Sequence, residues 1–325
     1  GTIRNHAASV DATSGAVLAW DPNVDGIVYA LKADGTAIYL GGSFTSVQST
    51  SRTNAAAVDV SNSNLSSWNP RPDLTVRSLT VTTNSVFIGG DFLNLGSPAI
   101  SRAYLGQVDR NQGAINPWNV NLNAPVYALA IDASRLYVGG AFTQSGTTAQ
   151  GYGAAYELLT GALVAWNPRF DGTVYATASS GSTMYWGGTF ASAGTLTPRN
   201  YALAIDLQTG ALLPWDPQPN NIVRAVAVDA TASVAYLGGQ FTQVAGGVPR
   251  GRLAEYDFAS LDGGVTAWNP AISSTVQAIT LSESQNVLYI GGGFTTVGAT
   301  ARNRAAAFDL TSRTLNTWNP NVNDV

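Results

Sequence analysis

A tryptophan recurs along this chain at intervals of 48 to 53 residues, and this repeat limits the folds open to the chain. The recurring residues are Trp20, Trp68, Trp118, Trp166, Trp215, Trp268 and Trp318. Most of them begin a Trp-Asn-Pro or Trp-Asp-Pro tripeptide, and Trp118 is followed by Asn-Val instead. A pair of glycines, followed by any residue and then phenylalanine, recurs with similar spacing. Anchors this regular predict an array of equivalent modules, in which each module buries its surface against its neighbours.

Each module contains four short apolar segments separated by turn residues. In module one these segments are Ile27–Leu31, Ala37–Gly41, Ala55–Val60 and Asn64–Trp68. Short runs of strand-forming residues between Asp-Gly, Thr-Gly or Ser-Asn turns are typical of antiparallel β-strands. A four-stranded unit cannot cover both of its own faces, but a ring of such units can. We therefore predict an all-β protein, a β-propeller whose four-stranded blades are each about 50 residues long.

The number of blades depends on how the N-terminal segment is counted. Six complete modules span residues 27–318, and residues 3–20 match only the second half of a module, an outer hairpin. A gap in the inner ring would expose more apolar surface than a loose outer hairpin would. We therefore expect one propeller over residues 1–325 with six blades, and seven blades are the alternative. The complete modules are residues 27–68, 76–118, 125–166, 173–215, 222–268 and 275–318.

The composition excludes several classes of function. Only 11% of the residues are charged and the net charge is -4, which argues against a basic nucleic-acid-binding surface. The chain has no cysteine and one histidine (His6), which excludes cysteine nucleophiles, disulfides and metal sites with two imidazoles. No apolar run is long enough to cross a membrane, and the first residues do not resemble a signal peptide. We predict no catalytic residue, no bound metal and no cofactor.

The repeat resembles a known group of propeller sequences. The segments Gly139-Gly140-Ala141-Phe142, Thr160-Gly161-Ala162-Leu163 and Trp166-Asn167-Pro168 carry the likeness. They are similar to the kelch-like or delta-60-type repeats of large bacterial secreted and cell-surface proteins and, more distantly, to fungal cortical polarity markers. The Thr-Gly…Trp run also resembles the tryptophan-docking motif of quinoprotein dehydrogenases, but the cysteine pair of that family is impossible here. The main resemblance implies an extracellular or cell-surface location and a binding or structural role without chemistry.

One position varies in chemistry while its neighbours stay constant. It follows the valine that opens the first, inner strand of each module and reads Tyr29, Arg77, Tyr127, Tyr175, Arg224 and Gln277. Near the axis of a propeller, these side chains would offer hydrogen-bond donors, aromatic faces and two positive charges at the mouth of the ring. We interpret them as a candidate site for an anionic or sugar-like ligand. The alternative is that they fill and hydrate a channel.

The other recurring residues have structural explanations. An arginine and an acid seven residues later occur in most modules, as Arg52 and Asp59 do, and would pair with neighbouring modules or cap turns. Trp186 is out of phase with the repeat, so it is either a core residue or a platform for a sugar. The segment 21–26 begins like a calcium loop, but Lys32 occupies the place of the bidentate acid.

We therefore expect a non-catalytic module, either surface-exposed or secreted, that binds a glycan, a cell-envelope component or another surface protein, or that acts as a scaffold. Its partners would approach the connections between second and third strands, such as 45–54, and the Asn-Pro connections. Two alternatives remain open. One is a purely architectural component that self-associates. The other is a glycosidase or lyase with carboxylates on the connections into the inner strands, such as Asp73 and Asp171, with Asp25 and Asp324 in comparable places.

Overall fold

The computed structural model describes residues 2–194, 197–258 and 264–323, and in these ranges it contains strands and turns but no helix. Asp324 lies outside the described residues. Six small antiparallel sheets, one per module, confirm the prediction of a repeated all-β fold. The described residues divide into two compact units: residues 2–11 and 17–166 form one, and residues 12–16, 167–194, 197–258 and 264–323 form the other. Among the described residues, no helix is long and apolar enough to cross a membrane.

Each sheet is built from three consecutive main strands. The first strands are Ile27–Asp34, Val76–Val81, Val126–Ile131, Val174–Ser180, Val223–Asp229 and Val276–Ser282. The second strands, which occupy the centre of each sheet, are Ala37–Ser43, Ser85–Gly90, Arg135–Gly140, Thr183–Gly188, Val234–Gly239 and Val287–Gly292. The third strands are Ala55–Asp59, Leu105–Asp109, Gly153–Glu157, Ala202–Asp206, Leu253–Asp257 and Ala305–Asp309. These bounds agree with the three predicted apolar segments of module one to within a few residues.

The long connection between second and third strands is itself a small hairpin in every module. The paired two-residue strands are Ser46–Val47 with Thr50–Ser51, Asn94–Leu95 with Ile100–Ser101, Gln144–Ser145 with Thr148–Ala149, Ser192–Ala193 with Thr197–Pro198, Gln243–Val244 with Val248–Pro249, and Thr296–Val297 with Thr300–Ala301. Sequence analysis treated these segments as loops, because two-residue strands leave no periodic pattern.

The fourth predicted strand differs from expectation. In module one, the segment 64–68 contributes one bridge, between Val58 and Leu65, and only module six forms a two-residue strand there, Thr314–Leu315. Arg52 Nη2 donates to the carbonyl of Ser66 at 2.8 Å, and Arg302 makes the equivalent bond to the carbonyl of Asn316 in module six. This contact holds the outer segment in place whether or not the segment forms a strand. The sheets of modules one to five are thus three-stranded, and that of module six has a short fourth strand.

Close packing accounts for the glycine pair at the end of the second strand, as module five shows. A Cβ on the first glycine, Gly238, would lie 2.6 Å from Val276 Cγ1 of the next module. A Cβ on the second, Gly239, would lie 2.1 Å from the carbonyl oxygen of Ile222 in its own module. Both distances are shorter than a side-chain atom tolerates, so the structural explanation of the glycines is confirmed for this pair; in module six it holds for the second glycine, Gly292, alone.

The hydrophobic core lies between consecutive modules. In the first unit, Tyr39 and Trp68 of module one pack with Val76, Ile88 and Phe92 of module two. The rings of Tyr39 and Trp68 meet edge to face with centroids 5.1 Å apart. A tyrosine or phenylalanine of the second strand meets the recurring tryptophan in the same manner in all six modules. The recurring tryptophans therefore contribute to the packing of one module on the next.

The N-terminal half-module is packed as the outer part of a module. Ala7 and Trp20 join the core of module one. Trp20 Nε1 donates to the carbonyl of Asp59 at 2.9 Å, and Trp68 Nε1 donates to the equivalent carbonyl of Asp109 at 3.0 Å. The half-module thus contacts module one in the way that module one contacts module two.

Candidate functional site

The six variable residues all occupy β-bulges. In each module, the pairing of first and second strands skips one residue between the opening valine and the next alanine or serine. The skipped residues are Tyr29, Arg77, Tyr127, Tyr175, Arg224 and Gln277. A bulge leaves one residue without a cross-strand partner and re-aims its side chain. This backbone feature explains why this position is free to vary while the flanking valine is fixed by packing.

In the first unit, the charge of Arg77 lies near two of the other variable side chains, Tyr29 and Tyr127, and is already neutralised. The Arg77 guanidinium lies 4.6 Å from the ring centroid of Tyr29, which is 47% exposed. Its Nη2 also pairs with Asp91 Oδ2 at 2.7 Å. Burial acts to lower the pKa of Arg77, but the Asp91 carboxylate raises it overall, and Tyr127 contributes in the same direction. The positive charge at this place is therefore already balanced within the protein.

In the second unit, the equivalent charge has no acidic partner among the described residues. The Arg224 guanidinium lies 4.3 Å from the ring centroid of Tyr175. No carboxylate among the residues that the structure describes lies within ion-pair distance of Arg224. Gln277, on the first strand of module six, is exposed. A planar guanidinium held on an aromatic face can bind a carboxylate or phosphate through two parallel hydrogen bonds.

Sequence analysis missed a second variable position beside the bulge. The residue between the glycine pair and the phenylalanine reads Ser43, Asp91, Ala141, Thr189, Gln240 and Gly293. In module two this residue, Asp91, is the partner of Arg77. Its variability beside an invariant glycine pair was the available signal. This position therefore decides whether the charge at the bulge is compensated.

The carboxylates on the connections into the first strands serve as structural caps. Asp73 Oδ1 accepts hydrogen bonds from the backbone N–H groups of Leu93 and Asn94 at 2.9 and 3.1 Å. Asp25 and Asp171 make the same pair of bonds in modules one and four. Burial acts to raise the pKa of these groups, but the hydrogen bonds lower it overall.

Neutral side chains take the same role in the remaining modules. The amide oxygens of Asn123 and Asn220 and the hydroxyl of Ser273 accept the equivalent pairs of backbone hydrogen bonds. An ionised cap with a lowered pKa is unsuited to donate a proton, and a general acid normally has a raised pKa. The geometry therefore gives the hydrolase interpretation no support at these positions.

The segment that begins like a calcium loop uses its oxygens internally. Asp21 Oδ1 accepts from the backbone N–H of Asn23 at 2.9 Å. Both carboxylate oxygens of Asp25 accept hydrogen bonds from Thr45 and Ser46. Within residues 2–194, 197–258 and 264–323, no cluster of three or more His, Asp or Glu side chains is placed to hold a metal ion.

The recurring arginine and acid act within their own module. Asp59 Oδ1 accepts from the backbone N–H groups of Ser61 and Asn62, which caps the turn after the third strand. Hydrogen bonds from Ser61 lower the pKa of Asp59. Together with the Arg52 contact to Ser66, this confirms turn capping. The neighbouring-module pairing that we also considered for these two residues is absent from the contacts that the structure gives them.

Two further side chains of the second unit, Trp186 and Glu255, are buried and have structural contacts. Trp186 is 0% exposed and packs against Phe170 at a centroid distance of 5.5 Å, so it is a core residue and not a sugar platform. Glu255 is 3% exposed, and its Oε2 pairs with Arg313 Nε at 2.9 Å. Glu255 lies on the third strand of module five, and Arg313 follows the third strand of module six, so this ion pair joins two modules.

A polar surface cavity lies between modules two and three in the first unit. Its volume is about 460 Å³, and Asn116, Trp118, Asn119 and Thr160 contribute to its lining. Leu159, at its edge, is 96% exposed. No titratable side chain lines it, so the cavity offers hydrogen bonds and an aromatic edge but no acid or base.

Comparisons with known proteins bear on the fold alone. No family model and no curated protein match the chain. Solved structures do match, among them the crystal structure of Ika8, a computationally designed protein. It is 14% identical, with a TM-score of 0.55, and the match covers 90% of this chain and 87% of that chain.

Proposed function

We propose that this protein is a non-catalytic β-propeller module that binds an acidic polysaccharide at the bulges of its first strands. The single observation that carries the proposal is the contact of Arg224 with Tyr175, because it presents a positive charge that no described carboxylate neutralises. A uronic acid offers a carboxylate to the guanidinium and a ring whose apolar face can stack on an aromatic side chain.

The finer description of the fold belongs to this proposal. Sheets that bury their cores between consecutive modules support propeller blades. The six-blade prediction treated the N-terminal hairpin as surplus, but its packing on module one as the outer half of a module favours seven blade positions. The scarcity of charged residues and the absence of cysteine suit an extracellular or cell-surface location, as the resemblance of the repeats implies.

The proposal is tested by affinity measurements on a carboxylate-bearing and a neutral polysaccharide, polygalacturonate and dextran. We expect saturable binding to polygalacturonate, weak binding to dextran and no release of sugar. Arg224→Ala should weaken binding about tenfold, which corresponds to loss of one charge-assisted contact. Arg77→Ala should have a much smaller effect, because Asp91 already pairs with it.

Asp91→Ala is the matched control, because it removes the partner of Arg77 without touching Arg224. We expect this variant to bind polygalacturonate more tightly than the parent protein does. Equal affinity of the parent and Arg224→Ala for polygalacturonate would refute the site. Release of soluble sugar would refute the non-catalytic assignment.

A further inference from the structure

Module six has a sheet face that is covered in the modules before it. In the second unit, a Cβ on Gly187 would lie 2.5 Å from Val223 Cγ1, and one on Gly238 would lie 2.6 Å from Val276 Cγ1. In both cases the valine opens the first strand of the following module. At Gly291 the nearest atoms would be 3.8 and 4.0 Å away, and both belong to module six itself.

The exposure of the strands changes at the same place. Ala225, on the first strand of module five, is 7% exposed, whereas the equivalent Ala278 of module six is an exposed residue. The second strand of module five is buried at all six positions. In the second strand of module six, Tyr289 and both glycines are partly exposed.

The outer part of this face is nevertheless covered. Residues 12–16 of the second unit lie against module six: a Cβ on Gly15 would be 2.9 Å from the backbone nitrogen of Asn319. Tyr289 Oη donates to the carbonyl of Ala12 at 3.1 Å. In the first unit, module two covers module one through the equivalent pair of contacts, which are those of Gly113 with the backbone of Asn69 and of the Tyr39 hydroxyl with the carbonyl of Arg110. The uncovered area is therefore confined to the part of the face that a first strand covers elsewhere.

We propose that the face around Gly291 docks a partner β-hairpin whose leading strand carries valine followed three residues later by leucine, isoleucine or valine. The covered face of module five shows why this chemistry fits. Over Gly238, the space is filled by Val276 and, three residues later, by the Cδ1 atom of Ile279, 2.9 Å from the position of a Cβ. Val223 and Val226 fill the equivalent space over Gly187.

The absence of a Cβ at Gly291 makes this face specific for the side chain that it accepts. Gly291 leaves a hollow that accepts a valine methyl group, and burial of branched aliphatic side chains supplies the affinity. The strands around the hollow present alanine, threonine, glutamine and tyrosine, with no charged side chain on Val276–Ser282 or Val287–Gly292. The face therefore suits an apolar strand and disfavours a charged one. This surface is separate from the proposed polysaccharide site, and the two proposals can fail independently.

The test uses a fluorescently labelled synthetic peptide with the sequence of residues 222–241, which contains the required valine and both strands of one inner hairpin. Fluorescence anisotropy should show saturable binding with one peptide per chain. Gly291→Ala should weaken this binding at least about tenfold, because a Cβ fills the hollow. The same substitution should leave the melting temperature of the protein unchanged, because the nearest atoms to the added Cβ are at ordinary contact distance in the free chain.

Two further measurements keep the proposal falsifiable. Ala278→Lys places a charge on the same face at an exposed position and should abolish binding, and a peptide with Val223→Asp should not bind the parent protein. Equal affinity for the parent, Gly291→Ala and Ala278→Lys would overturn the proposal. It would also be overturned if sedimentation showed a dimer of the parent protein that Ala278→Lys dissociates, because a second copy would then be the occupant.

Discussion

Modules five and six have nearly the same central strand in different surroundings. Val234–Gly239 reads Val-Ala-Tyr-Leu-Gly-Gly and is buried throughout, while Val287–Gly292 reads Val-Leu-Tyr-Ile-Gly-Gly and is partly exposed at three positions. The pairing register is the same in both, including the bulge in the first strand. Local sequence therefore determines the strand, and the neighbouring module determines its burial. A strand that keeps the sequence of a buried one while lying exposed indicates a surface made to be covered.

The largest expected effect comes from adding the same side chain to both strands. Gly238→Val forces branched atoms into the space held by Val276 and Ile279 and should lower the free energy of unfolding by about 3 kcal/mol. At Gly291 the nearest atoms to an added Cβ are at ordinary contact distance, so Gly291→Val should change the free energy of unfolding by less than about 0.5 kcal/mol. Urea unfolding followed by tryptophan fluorescence measures both. Similar losses for the two variants would show that the face of module six is covered in solution.

A smaller effect is expected from the recurring arginine. Arg250 is 8% exposed and donates through Nη2 to the carbonyl of Thr266, while the more exposed Arg302 donates to the carbonyl of Asn316 at 2.8 Å. Arg250→Ala removes a donor from two carbonyls, those of Thr266 and Pro249, and should cost about 2 kcal/mol of unfolding free energy because the arginine itself is buried. Arg302→Ala should cost about 1 kcal/mol, because water can replace the guanidinium there.

The same unfolding assay measures this pair of variants. Replacement by lysine is the control, since lysine keeps the charge but cannot reach both carbonyls with a planar fork. Equal losses of unfolding free energy in Arg250→Ala and Arg302→Ala would show that the exposure of module six does not change what the arginine contributes to the stability of its outer segment.

The sequence predicted the repeat, the first three strands and the structural use of the glycine pairs. These features follow from local propensity and from side-chain size, both of which are visible in one module. The bulge at Arg224 could not be predicted, because Val-x-Ala reads like ordinary strand alternation and the extra residue appears only against the partner strand. The reduction of the fourth strand of module one to a single bridge was not predicted either, because the apolar pattern of Asn64–Trp68 does not show how far the pairing extends.

The candidate site was predicted as a position but not as a chemical environment. Arg77 and Arg224 look equivalent in the sequence, and each lies on a tyrosine in the structure. Only the structure shows that Asp91 balances one of them. The difference is due to a residue fourteen positions away, brought to the bulge by strand pairing.

The smallest expected effect is on the pH dependence of stability. It distinguishes the modules that are capped by aspartate from those that are capped by asparagine or serine. Asp25, Asp73 and Asp171 have lowered pKa values in the folded protein, below an ordinary value of 3.8. The stability that they contribute is therefore fully present above that value and is lost as the pH falls towards their folded pKa values. Modules five and six use Asn220 and Ser273 at the same place and lack this dependence.

Replacing all three aspartates with asparagine should therefore flatten the loss of thermal stability on acidification below about pH 5. The variant should fold, because asparagine already caps modules three and five with the same two hydrogen bonds. At pH 7 we expect its melting temperature to be lower by roughly 2–4 °C, and we expect this difference to narrow as the pH falls towards the lowered pKa values of the three aspartates. Thermal unfolding followed by circular dichroism across this range measures both values. An unchanged slope would mean that the caps are not the groups whose protonation destabilises the fold, and the turn-capping acids after the third strands would then account for it.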